Sequence, residues 1–243
     1  QSSFIISWSL ASGSESLQSF EYALGTPEQT ADIVDWTDIG TDTTVTITGL
    51  SLGEGLTYFG SVRAYNTDGN VSPSYTGDGL TIDTQLPQIT YVGEGLELSD
   101  IDWFNTSESV SHIWQGSDNV FIASYDFSVG TAPGQDDIVS WINMDMDTTA
   151  QSENSYFSEG TLYYTNVQAT DLADNTSDIN SSDGFQIDAT PPAQGIVSLI
   201  GLNEDGYLPT DSSISILISG FTDEGSGIIN YSTAVGTSPG GSE

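Results

Sequence analysis

The sequence predicts an all-β protein built from tandem β-sandwich modules. The first observation is a gapless internal repeat. Asp32-Ile33-Val34-Asp35-Trp36 recurs as Asp137-Ile138-Val139-Ser140-Trp141, an offset of 105 (141 − 36). The same offset carries Gly25-Thr26 onto Gly130-Thr131, Tyr58 onto Tyr163, Asn70 onto Asn175, Asp78-Gly79 onto Asp183-Gly184, Ile82-Asp83 onto Ile187-Asp188 and Pro87 onto Pro192. A period of that length duplicates whole domains; solenoid repeats are much shorter. The second observation is short β-prone runs separated by turn clusters, with no sustained helical period. The third is composition: 36% hydrophobic and 10% aromatic residues supply a core for each module.

Phe4-Ile5-Ile6-Ser7-Trp8-Ser9-Leu10 is an apolar, β-prone run, Thr43–Thr48 alternates with period two, and Thr57–Tyr65 does so more loosely. Turns are predicted at Ser12-Gly13-Ser14, Gly53-Glu54-Gly55 and Asn66-Thr67-Asp68-Gly69-Asn70. Short, evenly spaced strands over about 100 residues per unit are the expectation for a β-sandwich. Thr81-Ile82-Asp83-Thr84-Gln85-Leu86-Pro87 and Phe185-Gln186-Ile187-Asp188-Ala189-Thr190-Pro191-Pro192 each end a strand in an aspartate and then proline. Proline lacks an N–H and fixes φ, so it stops a ladder and stiffens a junction. The expected domains are 1–86, a module lacking its first strand; 87–191, a complete module; and 192–243, the N-terminal part of a third. Gly236-Thr237-Ser238-Pro239-Gly240 echoes Gly130-Thr131-Ala132-Pro133-Gly134 in that third stretch. The chain therefore reads as a window on a longer array.

Early tryptophans (Trp8, Trp114) are followed by aromatic-rich strands (Phe20 and Tyr22; Tyr125 and Phe127). Leu50 and Leu52 precede Tyr58, then Val62, Ala64 and Gly69-Asn70, and unit two repeats the strand as Tyr163, Val167, Ala169 and Asn175. This pattern resembles the fibronectin type III family, with its tyrosine corner and Tyr-x-x-x-Val-x-Ala strand. The resemblance covers nearly the whole chain and implies Ig-like sandwiches. The Gly-Thr-x-Pro-Gly and Asp-Ile-Val-x-Trp stretches are longer than a minimal module. They resemble variants strung in tandem in large secreted bacterial surface proteins, which implies an adhesive or spacer role.

Acidic residues number 35 against a single Arg63, with no lysine, for a formal net charge of −34. That charge excludes attraction to nucleic acid or to an anionic membrane surface. High ionic strength, which shortens the Debye length to roughly 10 Å or less, or bound cations would relieve the repulsion. Both point to an extracellular or cell-surface location, with a halophilic cell interior as the alternative. There is no cysteine, hence neither disulfides nor thiolate metal sites. No apolar run approaches the roughly 20 residues that span a bilayer.

Calcium is the expected cofactor. Asp83, Asp100 and Asp102, with Asp118, Asp171 and Asp174, gather near the first module junction; Asp188, Asp205, Asp223 and Glu224 are their counterparts near the second. Calcium takes six to eight oxygens, which such carboxylates and loop carbonyls provide. None forms an EF-hand loop, and the alternative is turn chemistry, since Asp and Asn favour Asx-turns. Trp36, Trp141, Trp103 and Tyr207 fit core or junction packing, or else a sugar-stacking platform. His112, the single histidine, reads as structural. No Ser-His-Asp spacing, nucleophile elbow or phosphate loop is present, and the Asp136-Asp137 pair, with Asp32 alone in unit one, reads as an exposed turn. The sequons at Asn70, Asn105, Asn175, Asn180 and Asn230 are what a chain rich in Ser and Thr yields by chance.

The expected function is a non-catalytic stalk or adhesin spacer. Its partners would be cell-surface, polysaccharide or protein ligands bound by other parts of a longer chain. The alternatives are accessory modules of a secreted polysaccharide- or protein-degrading enzyme, or self-association of sandwich edges into a fibre or layer by strand addition.

Overall fold

The structure is a computed structural model that describes residues 2–10, 16–105, 109–153, 157–208 and 213–238. The turn expected at Ser12–Ser14 lies outside them. No helix occurs among the described residues. The chain divides into two compact units: Gln1–Pro87 with Asp118–Phe121 and Asp171–Asn175, and Gln88–Ser117 with Ile122–Thr170 and Thr176–Glu243.

Unit 1 contains β1 (Ser2–Ser7), β2 (Leu17–Gly25), β3 (Val34–Gly40), β4 (Thr44–Leu50), β5 (Thr57–Asn66), β6 (Tyr75–Thr76) and β7 (Leu80–Thr81). One sheet pairs β1 with β4; the other runs β3-β2-β5-β6, with β7 also on β5. Alternation sets the faces: Phe4 and Ile6 of β1 point into the core while Ile5 is 65% exposed. Phe4, Ile6, Leu24, Ile47 and Tyr58, drawn from both sheets, form that core.

Unit 2 contains β8 (Gln88–Glu94), β9 (Trp103–Phe104), β10 (Ser109–Ser117), β11 (Ile122–Gly130), β12 (Val139–Asn143), β13 (Thr149–Glu153), β14 (Tyr164–Asp171), β15 (Asn180–Ser181), β16 (Gln186–Ile187), β17 (Ile196–Ile200) and β18 (Ser215–Ser219). Its sheets run β13-β10-β8 and β12-β11-β14-β15, with β17 and β18 paired separately. Strand for strand, β10, β13, β11, β12, β14 and β15 repeat β1, β4, β2, β3, β5 and β6; β8 has no counterpart in unit 1 among the described residues. This is the fibronectin type III-like sandwich. Trp114 of β10 is fully buried and stacks on Phe127 of β11, with ring centroids 5.6 Å apart at 14°. The two sheets thus share one aromatic core.

Both predicted tyrosine corners are present. The hydroxyl of buried Tyr58 accepts the Gly53 N–H at 2.6 Å, and that of buried Tyr163 accepts the Ser158 N–H at 2.8 Å. The parallel β9–β16 pair, Trp103 beside Gln186 and Phe104 beside Ile187, has no forewarning in the sequence pattern, because two-residue strands are too short to show a period.

The most exact repeats turn out to be loop braces. Thr26 gives Asp32 its N–H at 3.0 Å and its hydroxyl at 2.7 Å; Thr131 gives Asp137 the same pair at 2.8 and 2.7 Å. The brace closes the β2–β3 connection in unit 1 and the β11–β12 connection in unit 2. Gly25 and Gly130 make room for it: a Cβ on Gly25 would lie 2.6 Å from Asp32 Oδ1, and one on Gly130 2.3 Å from the Gln135 carbonyl. Hydrogen bonds from Thr30, then Thr26, hold Asp32 down at about 2, and those from Thr131 lower Asp137.

Candidate cation sites

In unit 1, Asp83, Asp118 and Asp171 converge, each offering a carboxylate oxygen within 4.8 Å of the other two. Asp83 follows β7, whose end is held by Gly55 N–H on the Ile82 carbonyl (2.8 Å) and Ile82 N–H on that of Leu56 (3.1 Å). Beyond it, Thr84 gives both its N–H (2.7 Å) and hydroxyl (2.9 Å) to Glu54. Asp118 opens the loop after β10 and accepts the N–H groups of Val120 (2.8 Å) and Phe121 (3.0 Å) on Oδ2. Asp171 ends β14. Its Oδ1 accepts from Ala173 (2.7 Å) and Asn175 (2.9 Å), and its Oδ2 from the Asn175 amide at 2.8 Å. The same amide reaches the Asp83 carbonyl at 3.3 Å.

Turn chemistry therefore uses some of these oxygens and leaves others open. Asp83 Oδ2 and Asp118 Oδ1 are buried atoms without a partner. Burial first, with the negative charge of Asp118 adding to it, raises Asp83 above the usual carboxylate range. Burial would also raise Asp171, but the bonds from Asn175 and Ala173 outweigh it and leave that group lowered. No side-chain cation relieves the trio. The chain's one arginine, Arg63, is bound to Glu21 at 2.6 Å and lies 4.2 Å over the Trp36 ring. Three convergent oxygens with adjacent carbonyls suit a hard divalent ion.

The other anticipated ligands are placed differently. Asp100 lies in unit 2 with Glu94 and Asp183, not with Asp83. Asp102 is exposed, and its carbonyl accepts Gln186 N–H at 2.8 Å. Asp174 is exposed at φ 65° and its N–H bonds the Asp171 carbonyl, so it serves the turn and lies outside the trio. Asp188 and Asp223 are the 105-residue equivalents of Asp83 and Asp118, yet backbone donors occupy them. Asp188 takes Ser226 N–H at 2.6 Å and Thr190 N–H at 3.1 Å; Asp223 takes Gly225 (3.1 Å) and Gly227 (2.9 Å). The Ser226 bond leads in lowering Asp188. Asp205 and Glu224 are exposed, and none of these four joins a three-acid group among the described residues.

Trp36, Trp103 and Trp141 are half-buried on their strands, and Tyr207 is 71% exposed. Trp103 lines a cleft of about 530 Å³ with Glu159, Asp188 and Asp223. His112 is fully buried in unit 2 between Thr165 (Nδ1, 2.7 Å) and Ser152 (Nε2, 2.6 Å). Thr165 gives its hydroxyl proton to Glu94, so Nδ1 carries the ring proton and Nε2 accepts from Ser152. Burial drives His112 down to about 3, keeping it neutral. Sequence reading missed Glu94 and Asp183. An acid set between two glycines at the end of a β-prone run, Gly93-Glu94-Gly95, is the signal that could have found the first.

No family model and no curated protein matches the chain. Among solved structures, the crystal structure of chicken CNTN1 FN1-FN3 domains is similar. It shares 14% identity at a TM-score of 0.36, over 76% of this chain and 62% of that one. A likeness this distant carries nothing about function, and the sandwich assignment rests on the strand order and tyrosine corners above.

Proposed function

We propose that this chain is a non-catalytic repeat segment of an extended extracellular or cell-surface protein, acting as a stalk or adhesin spacer that calcium stiffens. The observation that carries this reading is the convergence of Asp83, Asp118 and Asp171, in which Asp83 Oδ2 and Asp118 Oδ1 are buried without a partner and no side-chain cation neutralises the charge. A calcium ion there would tie the stretch before Pro87 to the loops 118–121 and 171–175, replacing mutual repulsion by shared coordination. The acidic composition, the domain-length repeat and the proline-terminated boundaries support the same reading. The ligand that such a spacer presents would belong to other parts of a longer chain.

The test is small-angle scattering and thermal unfolding of the 243-residue chain in millimolar calcium and in chelator. The expected result is a more extended particle and a higher melting temperature with calcium, the extension absent from Asp83→Asn/Asp118→Asn and the rise in melting temperature smaller there. A scattering profile and melting temperature indifferent to calcium refute the proposal.

A further inference from the structure

We propose that unit 2 holds a second oxygen-donor site for a divalent cation of the calcium class, formed by Glu94, Asp100 and Asp183 with the Tyr91 hydroxyl beside them. Their carboxylates each offer an oxygen within 4.8 Å of the other two, and they share no residue with the unit 1 trio.

The fold builds this cluster. Glu94 ends β8 and is 0% exposed. Its Oε1 accepts the hydroxyls of Thr165 and of Ser182, the latter at 2.7 Å. Its Oε2 is buried with no partner, and so is the Tyr91 hydroxyl. Gly95, at φ 112°, turns the chain so that Asp100 returns alongside, its Oδ1 accepting Glu94 N–H at 3.1 Å. The Ile101 N–H closes the loop on the Glu94 carbonyl, also at 3.1 Å. Gly93 leaves the space they occupy: a Cβ there would stand 2.3 Å from the Tyr91 hydroxyl oxygen and 2.8 Å from Asp100 Oδ1. Asp183 is delivered by Ser182, which is itself bonded to Glu94.

A fully buried carboxylate with an idle oxygen, facing two more acids, is costly unless a proton or a cation compensates it. The hydroxyls of Thr165 and Ser182 orient Glu94 but bring no positive charge. Among the described residues no arginine or lysine is near, since Arg63 is engaged in unit 1. Three carboxylates and a phenol are hard oxygen donors, the set that calcium prefers over softer-ligand metals.

The experiment uses the 243-residue chain carrying Asp83→Asn/Asp118→Asn, which removes the unit 1 trio from the measurement. Calcium is titrated by calorimetry. Terbium, a luminescent substitute for calcium, is titrated with excitation through aromatic rings, for which Tyr91 is the antenna. The expected result is one calcium bound per chain. Affinity should fall by more than about tenfold in Glu94→Gln and in Asp100→Asn/Asp183→Asn, as the site's charge count drops. Asp100 and Asp183 are exposed, so their double variant should melt in chelator as the parent does, separating ligation from misfolding. Tyr91→Phe should dim the terbium emission. The proposal is overturned if no heat and no emission appear up to about 10 mM calcium, above the 10⁻⁴–10⁻³ M range of extracellular modules. It is overturned equally if Asp100→Asn/Asp183→Asn binds as tightly as its parent.

Discussion

Acidification should destabilise unit 2 through one buried ring. Burial depresses His112 from 6.5 to about 3, so the folded unit excludes a proton that the unfolded chain accepts. For a base held down in this way, the stability is fully present above pH 6.5 and is lost as pH falls toward about 3. At 1.36 kcal/mol per unit, going from pH 6.5 to about pH 5 removes about 2 kcal/mol, a large share of a domain's net stability. Glu94 works in the opposite direction. Raised from 4.5 to about 7, it contributes stability present below pH 4.5 and lost as pH rises through about 7. The two slopes oppose each other in the wild type, so the comparison must be with His112→Gln, in which Glu94 still titrates and the imidazole is gone. Urea unfolding followed by tryptophan fluorescence in chelator, at pH values from about 5 to 8, measures both proteins. The variant is expected to be less stable at neutral pH, because its core is perturbed. Relative to the variant, the wild type should lose about 2 kcal/mol on going to about pH 5. Parallel pH profiles in the two proteins would refute a histidine kept neutral by burial.

Further outcomes follow from the core and the trio. Tyr163→Phe and Tyr58→Phe each orphan a backbone N–H and should cost about 1–2 kcal/mol in urea unfolding; equal stability to wild type would mean the corners contribute nothing. Trp114→Ala, which empties the center of the unit 2 core, should cost about 3–5 kcal/mol, checked by the shift in its unfolding midpoint. Calcium at about 100 times its dissociation constant should stabilise the chain by about 2.7 kcal/mol per site. Calorimetric unfolding of wild type against Asp83→Asn/Asp118→Asn should show one site's worth of that stabilisation missing.

The sequence by itself determined the fold class, the strands that carry the tryptophan, aromatic and tyrosine repeats, and the tyrosine corners. Those features rest on local alternation and on residue types repeated at a fixed offset, and both are written along the chain. It also named Asp83, Asp118 and Asp171 among ten candidate ligands. Only the tertiary structure decided which acids meet. The 105-residue equivalence makes Asp188 match Asp83 and Asp223 match Asp118, yet Asp83 and Asp118 each keep a buried oxygen open, while backbone N–H groups bond both oxygens of Asp188 and Oδ1 of Asp223. The difference lies in the loops: Asp118 is followed by Asn119-Val120-Phe121, whereas Glu224-Gly225-Ser226-Gly227 follow Asp223, and the amides of the last three turn onto Asp188 and Asp223. Glu94 and Asp100 share one connection, but Asp183 lies far along the chain from both, and packing across the sandwich brings it to them. Local pattern fixes which way a side chain points on its strand; which distant side chain it meets depends on loop closure and packing, which no periodicity encodes.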